Sequence, residues 1–130
     1  MRYWKKLSIL LILVVAVISI GTVFASEEQV PSFVVTPMSG EPGTKLTFYG
    51  AGFVPGEKVK IIMTADEVPY AFAQAGTGGY VTVNENGAFK LQPAGGIPTV
   101  LLKPGVYTIK AVGDKGSIAT TPLEVLEKKQ

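Results

Sequence analysis

From residue 33 onward, apolar positions come in short runs that alternate with polar ones and stop at Gly or Pro. Leu46 and Phe48 share one face of the run 44–49. Val59, Ile61 and Met63 share one face of 58–63, and Tyr107 and Ile109 oppose Thr108 and Lys110 within 106–112. A period of two is the mark of a strand with one buried face. Further runs cover 33–36, 80–83, 88–91, and 117–120 followed by 123–126. No stretch of this part repeats with the 3.6-residue period of a helix. The pattern predicts seven short strands with turn signals between them, and hence an all-β, antiparallel sandwich. Its expected core is Val35, Leu46, Phe48, Phe53, Val59, Ile61, Val81, Phe89, Leu91, Tyr107, Ile109 and Val125.

The punctuation is regular. Pro42-Gly43, Pro55-Gly56 and Pro104-Gly105 each stand just before a run. Proline presets φ and glycine accepts the positive φ of a type II turn, so these pairs are expected as structural turns. Gly50 and Gly52 are expected to serve the same purpose. Asn86-Gly87, between 80–83 and 88–91, predicts a hairpin.

The N-terminal stretch differs from everything after it. Arg2, Lys5 and Lys6 precede an apolar run over 7–20 that is interrupted only by Ser8 and Ser19. Val23 and Ala25 are spaced as the small residues before a signal peptidase cut. The expected organisation is a signal peptide over 1–25, a lead-in over 26–31, a sandwich over 32–126 and a polar tail over 127–130. The other reading is an uncleaved anchor, since the 19 residues of 7–25 approach the length of a membrane span. Either way the domain is expected outside the cytoplasm, secreted or at the cell surface, with membrane contact only through residues 7–25.

Charge and composition narrow the chemistry. The first 25 residues hold three of the twelve basic residues and none of the ten acidic ones, so the remainder carries a net charge of −1. It has no Arg, and the chain has no His and no Cys. Imidazole and thiol chemistry, zinc ligation and disulfides are therefore excluded, and a basic nucleic-acid surface is not expected. Gly40 to Lys45 fails as a phosphate loop because no Lys directly follows its second Gly. No enzyme activity, cofactor or metal site is expected.

The segment Val35-Thr36-Pro37-x-Ser39-Gly40-x-Pro42-Gly43-Thr44-x-Leu46-Thr47-x-x-Gly50-x-Gly52-Phe53-x-Pro55-Gly56-Glu57-x-Val59 resembles the opening of bacterial and archaeal immunoglobulin-like domains of the IPT/TIG type. Leu102-Lys103-Pro104-Gly105-Val106-Tyr107-Thr108-Ile109-Lys110-Ala111 resembles the late strand of such sandwiches. The resemblance implies a single immunoglobulin-like domain with an adhesion, spacer or binding role. It also implies a tyrosine corner at Tyr107.

Residues 65–79 depart most from that pattern. Val68, Tyr70 and Phe72 alternate with Pro69, Ala71 and Ala73. Two readings stand: an extra edge strand whose aromatics join the core, or an exposed aromatic loop that contacts a ligand. On the second, Tyr70, Phe72, Gln74 and Tyr80 are the candidate contacts. Asp66 and Glu67 are expected in a solvated loop. Lys58 and Lys60 are expected to face solvent and discourage edge pairing. The expected function is an exported binding or adhesion module recognising a surface glycan, a wall component or a protein. The alternative is a structural accessory subunit or spacer. A small-molecule carrier is weaker, because antibiotic-binding apoproteins of similar shape rely on disulfides.

Overall fold

The computed structural model describes residues 30–74, 76–100 and 103–128. The expected signal peptide lies outside the described residues, as does most of the lead-in. The described chain is all-β, without a helix. Its strands are β1 (Ser32–Thr36), β2 (Ser39–Gly40), β3 (Thr47–Ala51), β4 (Lys58–Ala65), β5 (Val68–Phe72), β6 (Val81–Thr82), β7 (Phe89–Leu91), β8 (Gly105–Gly113) and β9 (Ile118–Val125).

They form two sheets packed face to face. The small sheet has the order β1-β3-β7 and is antiparallel throughout. The large sheet has the order β2-β9-β8-β4-β5, with β6 also paired to β4. It is mixed, because β2 runs parallel to β9.

Alternation explains the packing. On β4 the odd residues Val59, Ile61, Met63 and Ala65 are buried, while Lys58, Lys60 and Thr64 are exposed. An aromatic chain fills the space between the sheets. Phe33 stacks on Phe48 at 5.6 Å, and Phe48 meets Phe72 of the opposite sheet at 5.1 Å. Phe53 meets Phe89 edge-on at 5.1 Å. Such offset and tilted contacts are the favoured aromatic geometries. Ten of the twelve expected core residues are buried; Val81 and Tyr107 are only partly so. Phe33, Met63, Phe72, Val83, Ile97 and Leu123 are buried as well.

The fold corrects the expected one at several points. There are nine strands among the described residues rather than seven. The two residues of β2 are too few to show a period, and β5 was open between strand and loop. Runs 117–120 and 123–126, together the last of the seven expected strands, are continuous through Pro122. A proline is tolerated there because β2 covers only Glu124 and Val125, leaving β9 without a partner on that side at Pro122.

Asn84 to Gly87 is a turn, held by the Gly87 N–H on the Asn84 carbonyl (3.1 Å) and by the Asn84 side chain. It closes no hairpin. It carries the chain from β6 in one sheet to β7 in the other. Gly50 lies inside β3 rather than in a turn, while Gly43, Gly52, Gly56 and Gly105 do have positive φ.

Candidate functional site

The four expected contact residues are not brought together. β5 is the edge strand of the large sheet, paired to β4 from Ile61↔Phe72 to Ala65↔Val68. That register turns Phe72 inward, where it is 5% exposed, so it is a core residue and not a ligand contact. Tyr70 is half-buried against the same core. Its hydroxyl is enclosed without a hydrogen-bond partner among the described residues. Gln74 is exposed, and its carbonyl accepts from Thr77 N–H (3.3 Å) and Thr77 Oγ1 (2.7 Å). Only Tyr80 reaches a surface depression.

Register explains its position. β6 pairs with the start of β4, Lys58↔Thr82 and Val59↔Val81. One step further along the same register sets Tyr80 beside Lys60, on the outer face. There Lys58 Nζ stands 4.9 Å from the centre of the Tyr80 ring, a cation–π contact. Gly78 approaches the ring on its own loop: a Cβ there would be 3.5 Å from Tyr80 Cε1.

Lys58, Lys60, Tyr80, Val112, Gly113 and Asp114 line a depression of about 360 Å³. Asp114 is engaged with the backbone of Lys58: its carboxylate accepts from the Lys58 N–H (3.0 Å), and its own N–H donates to the Lys58 carbonyl (2.9 Å). The expectation that Lys58 and Lys60 guard a sheet edge is corrected. β4 is an inner strand, flanked by β8 on one side and by β5 and β6 on the other. These lysines face outward on the broad side of the sheet.

A second feature was missed by sequence reasoning. Glu57 is fully buried at the adjoining end of the sandwich. Its carboxylate accepts backbone N–H bonds from Val54 (3.2 Å), Lys115 (2.9 Å) and Ser117 (3.2 Å). Burial alone raises the pKa, but the Ser117 side chain and these backbone donors outweigh it and hold the carboxyl below its ordinary range. Glu57 ties the turn before β4 to the β8–β9 turn. Two of its donors are 58 and 60 residues away, so no local pattern announces them.

Tyr107 donates its hydroxyl to the carbonyl of Lys103, four residues upstream. Of the paired turns, the Gly43 N–H donates to the Ile97 carbonyl (2.8 Å) and the Gly56 N–H to the Val83 carbonyl (2.9 Å). Pro42, Pro55 and Pro104 precede these glycines and Gly105. Asp66 and Glu67 form the two-residue β4–β5 turn, both with positive φ (49° and 64°).

No protein-family model matches the chain, and no curated protein does. Among solved structures, macromomycin is similar with a TM-score of 0.53 and 24% identity, over 74% of this chain and 99% of that one. That likeness shows the fold alone. A Thermotoga maritima protein described as a superoxide reductase has a TM-score of 0.40 and 13% identity, over 82% of this chain and 91% of its own. The superoxide reductase of Ignicoccus hospitalis has 0.35 and 12%, over 82% and 86%. The expectation of no enzyme activity is corrected here. Structures described as superoxide reductases stand among those found similar, at 12–13% identity, and a fold by itself does not decide whether a chain is an enzyme. Lacking His and Cys removes imidazole and thiol chemistry only. Likenesses of this size carry no activity over to this chain.

Proposed function

We propose that this chain is an exported binding module. Its ligand, a surface glycan, a wall component or an exported protein, would lie on the outer face of the large sheet beside Tyr80. The observation that carries the reading is the Lys58–Tyr80 pair within the depression. An aromatic ring beside an ammonium joins apolar contact to charge, and aromatic rings anchor binding surfaces at small entropic cost. Export rests on the charged, apolar and small-residue order of residues 1–25. The immunoglobulin-like, IPT/TIG-type affiliation belongs to the same proposal. It is supported by the residue pattern from Val35 to Val59 and by the return of the Tyr107 hydroxyl to Lys103.

Two measurements test the reading. Intact mass and fractionation of the chain made in a bacterial host should give a species beginning at Ser26 outside the cytoplasm, or an intact chain in the membrane. A cytoplasmic product would overturn export. Retention on cell-wall and surface-glycan fractions should be lost in Tyr80→Ala while its melting temperature is kept. Equal retention of wild type and Tyr80→Ala would overturn the site.

A further inference from the structure

We infer that the outer face of the large sheet is built for an anionic polysaccharide, a single extended chain bearing carboxylate or phosphate groups; this rests on the binding-module reading above. Eight lysines and eight acidic residues balance across the described chain, so an uneven face is a matter of placement. Three of those lysines fall on neighbouring positions of one face. Lys58 and Lys60 are two apart on β4, so their Cα atoms are separated by about 6.6 Å. Lys60 is paired with Val112 and Ile62 with Lys110. Lys110 is therefore the diagonal neighbour of Lys60, about 7–8 Å away across the strands. The three lysine positions form a bent row that runs from the depression onto the sheet.

The surroundings leave that row with little compensation. Ile62, Val112, Ala71 and Thr120 share the face by register and carry no charge. Asp114, the one acid that lines the depression among the described residues, has its carboxylate engaged by the Lys58 N–H. The other acids of this sheet lie at its far margins: Asp66 and Glu67 at the β4–β5 turn, and Glu124 opposite Val106. The Lys58 ammonium lies over the Tyr80 ring, and such a contact reduces the freedom that the side chain has left to lose on binding an anion.

The arrangement favours a chain over a bilayer. Lys58 and Lys60 sit in a depression that Tyr80 and Asp114 also line. A strand of sugar units can enter it, while a flat anionic surface would also meet Asp66, Glu67 and Glu124 around it. Apolar Val112 and the exposed side of Tyr80 offer the contact that sugar rings use, and the lysines take the acid groups.

The test uses the protein as its host produces it, with polygalacturonate, dextran of matched length, dextran phosphate and phosphatidylglycerol vesicles as probes. Polygalacturonate or dextran phosphate should bind and plain dextran should not. Binding should weaken steeply between about 0.05 M and about 0.5 M NaCl. Lys58→Gln with Lys60→Gln should lower the affinity roughly tenfold, and Lys110→Gln should lower it further. Lys45→Gln with Lys90→Gln, away from this row, should leave it unchanged. Equal loss in the control pair, no loss in the Lys58/Lys60 pair, or preference for vesicles overturns the inference. If plain dextran binds and Tyr80→Ala abolishes it while the lysine pair has no effect, the anionic class fails and the Tyr80 site stands. If no probe binds, the inference fails, and the wall-fraction assay decides the site independently.

Discussion

A side chain on Gly113 would collide with Glu57: its Cβ would stand 2.2 Å from Glu57 Oε2 and 2.3 Å from Cδ. The glycine at the end of β8 thus makes the space in which a buried carboxylate collects three backbone N–H groups. Gly113→Ala should displace Glu57 and leave those donors short of their acceptor. The combined overpacking and lost bonds should cost about 3 kcal/mol. For a domain of this size that lowers the melting temperature by more than about 10 °C. A change below about 2 °C in a thermal melt would show that the tie contributes little.

The same carboxylate gives stability a pH dependence of definite sign. The folded pKa of Glu57 is lowered from its ordinary 4.5. A depressed acid adds stability above its unfolded pKa and loses it as pH falls through the folded value. Wild type should therefore lose stability below 4.5. Glu57→Gln should be less stable near neutral pH and lose less on acidification. Parallel melting curves against pH for the two proteins would remove Glu57 as the source. Every other described acid is at least partly exposed, which makes Glu57 the group to test.

Much of this fold is written in local alternation. Val59, Ile61 and Met63 against Lys58 and Lys60 give both the strand and its buried face. What alternation does not give is which strands pair. Lys58 and Lys60 read as edge guards because a polar strand face looks the same at the edge of a sheet and at its centre. Only the pairing of β4 with β8, β5 and β6 turns them into part of a broad face. The same holds for Phe72. VPYAF fits an edge strand or an exposed loop until its register with Ile61 sets the ring against Phe48. Glu57 lacks a local signal for two of its three donors, since Lys115 and Ser117 come from a turn distant in sequence.

Gly50 and Gly52 should both resist substitution, for different reasons. A Cβ on Gly50 would lie 2.3 Å from Phe89 Cε1, because the ring covers this strand position. Gly52 has φ 76° and is close to the backbone of Val30 and Pro31. Gly50→Ala should cost about 2 kcal/mol, and Phe89→Leu should recover part of it as a non-additive coupling of about 1 kcal/mol. Gly52→Ala should cost at least about 1 kcal/mol of backbone strain and add simply to Phe89→Leu. A urea-denaturation cycle showing additivity at Gly50 would reject the ring-contact explanation.

The β4–β5 turn carries two non-glycine residues with positive φ, Asp66 and Glu67. A two-residue turn of this kind prefers Gly in its second place. Glu67→Gly should raise stability by about 0.5–1 kcal/mol, the relief of left-handed strain exceeding the added freedom of the unfolded chain. A lowered melting temperature would mean that the Glu67 side chain makes a contribution its exposed position does not reveal.

Tyr70 and Phe72 differ in what each gives the sandwich, and paired substitutions separate them. The Phe72 ring fills the space beside Phe48, so Phe72→Ala should cost about 3–5 kcal/mol, the range for an aromatic deleted from a core. The Tyr70 ring packs against the same cluster, but its hydroxyl is enclosed without a partner among the described residues. Removing such a group relieves a desolvation cost, so Tyr70→Phe should be neutral or stabilising by up to about 1 kcal/mol. Tyr80→Ala, on the outer face, should leave stability within about 1 kcal/mol of wild type. Chemical denaturation of the three variants should therefore rank them Tyr70→Phe, Tyr80→Ala, Phe72→Ala, from most to least stable. A stable Phe72→Ala would place the ring outside the core and return the 68–72 segment to the candidate contacts. A destabilised Tyr70→Phe would mean that the hydroxyl has a partner, which would make that end of β5 a polar site rather than an apolar seam.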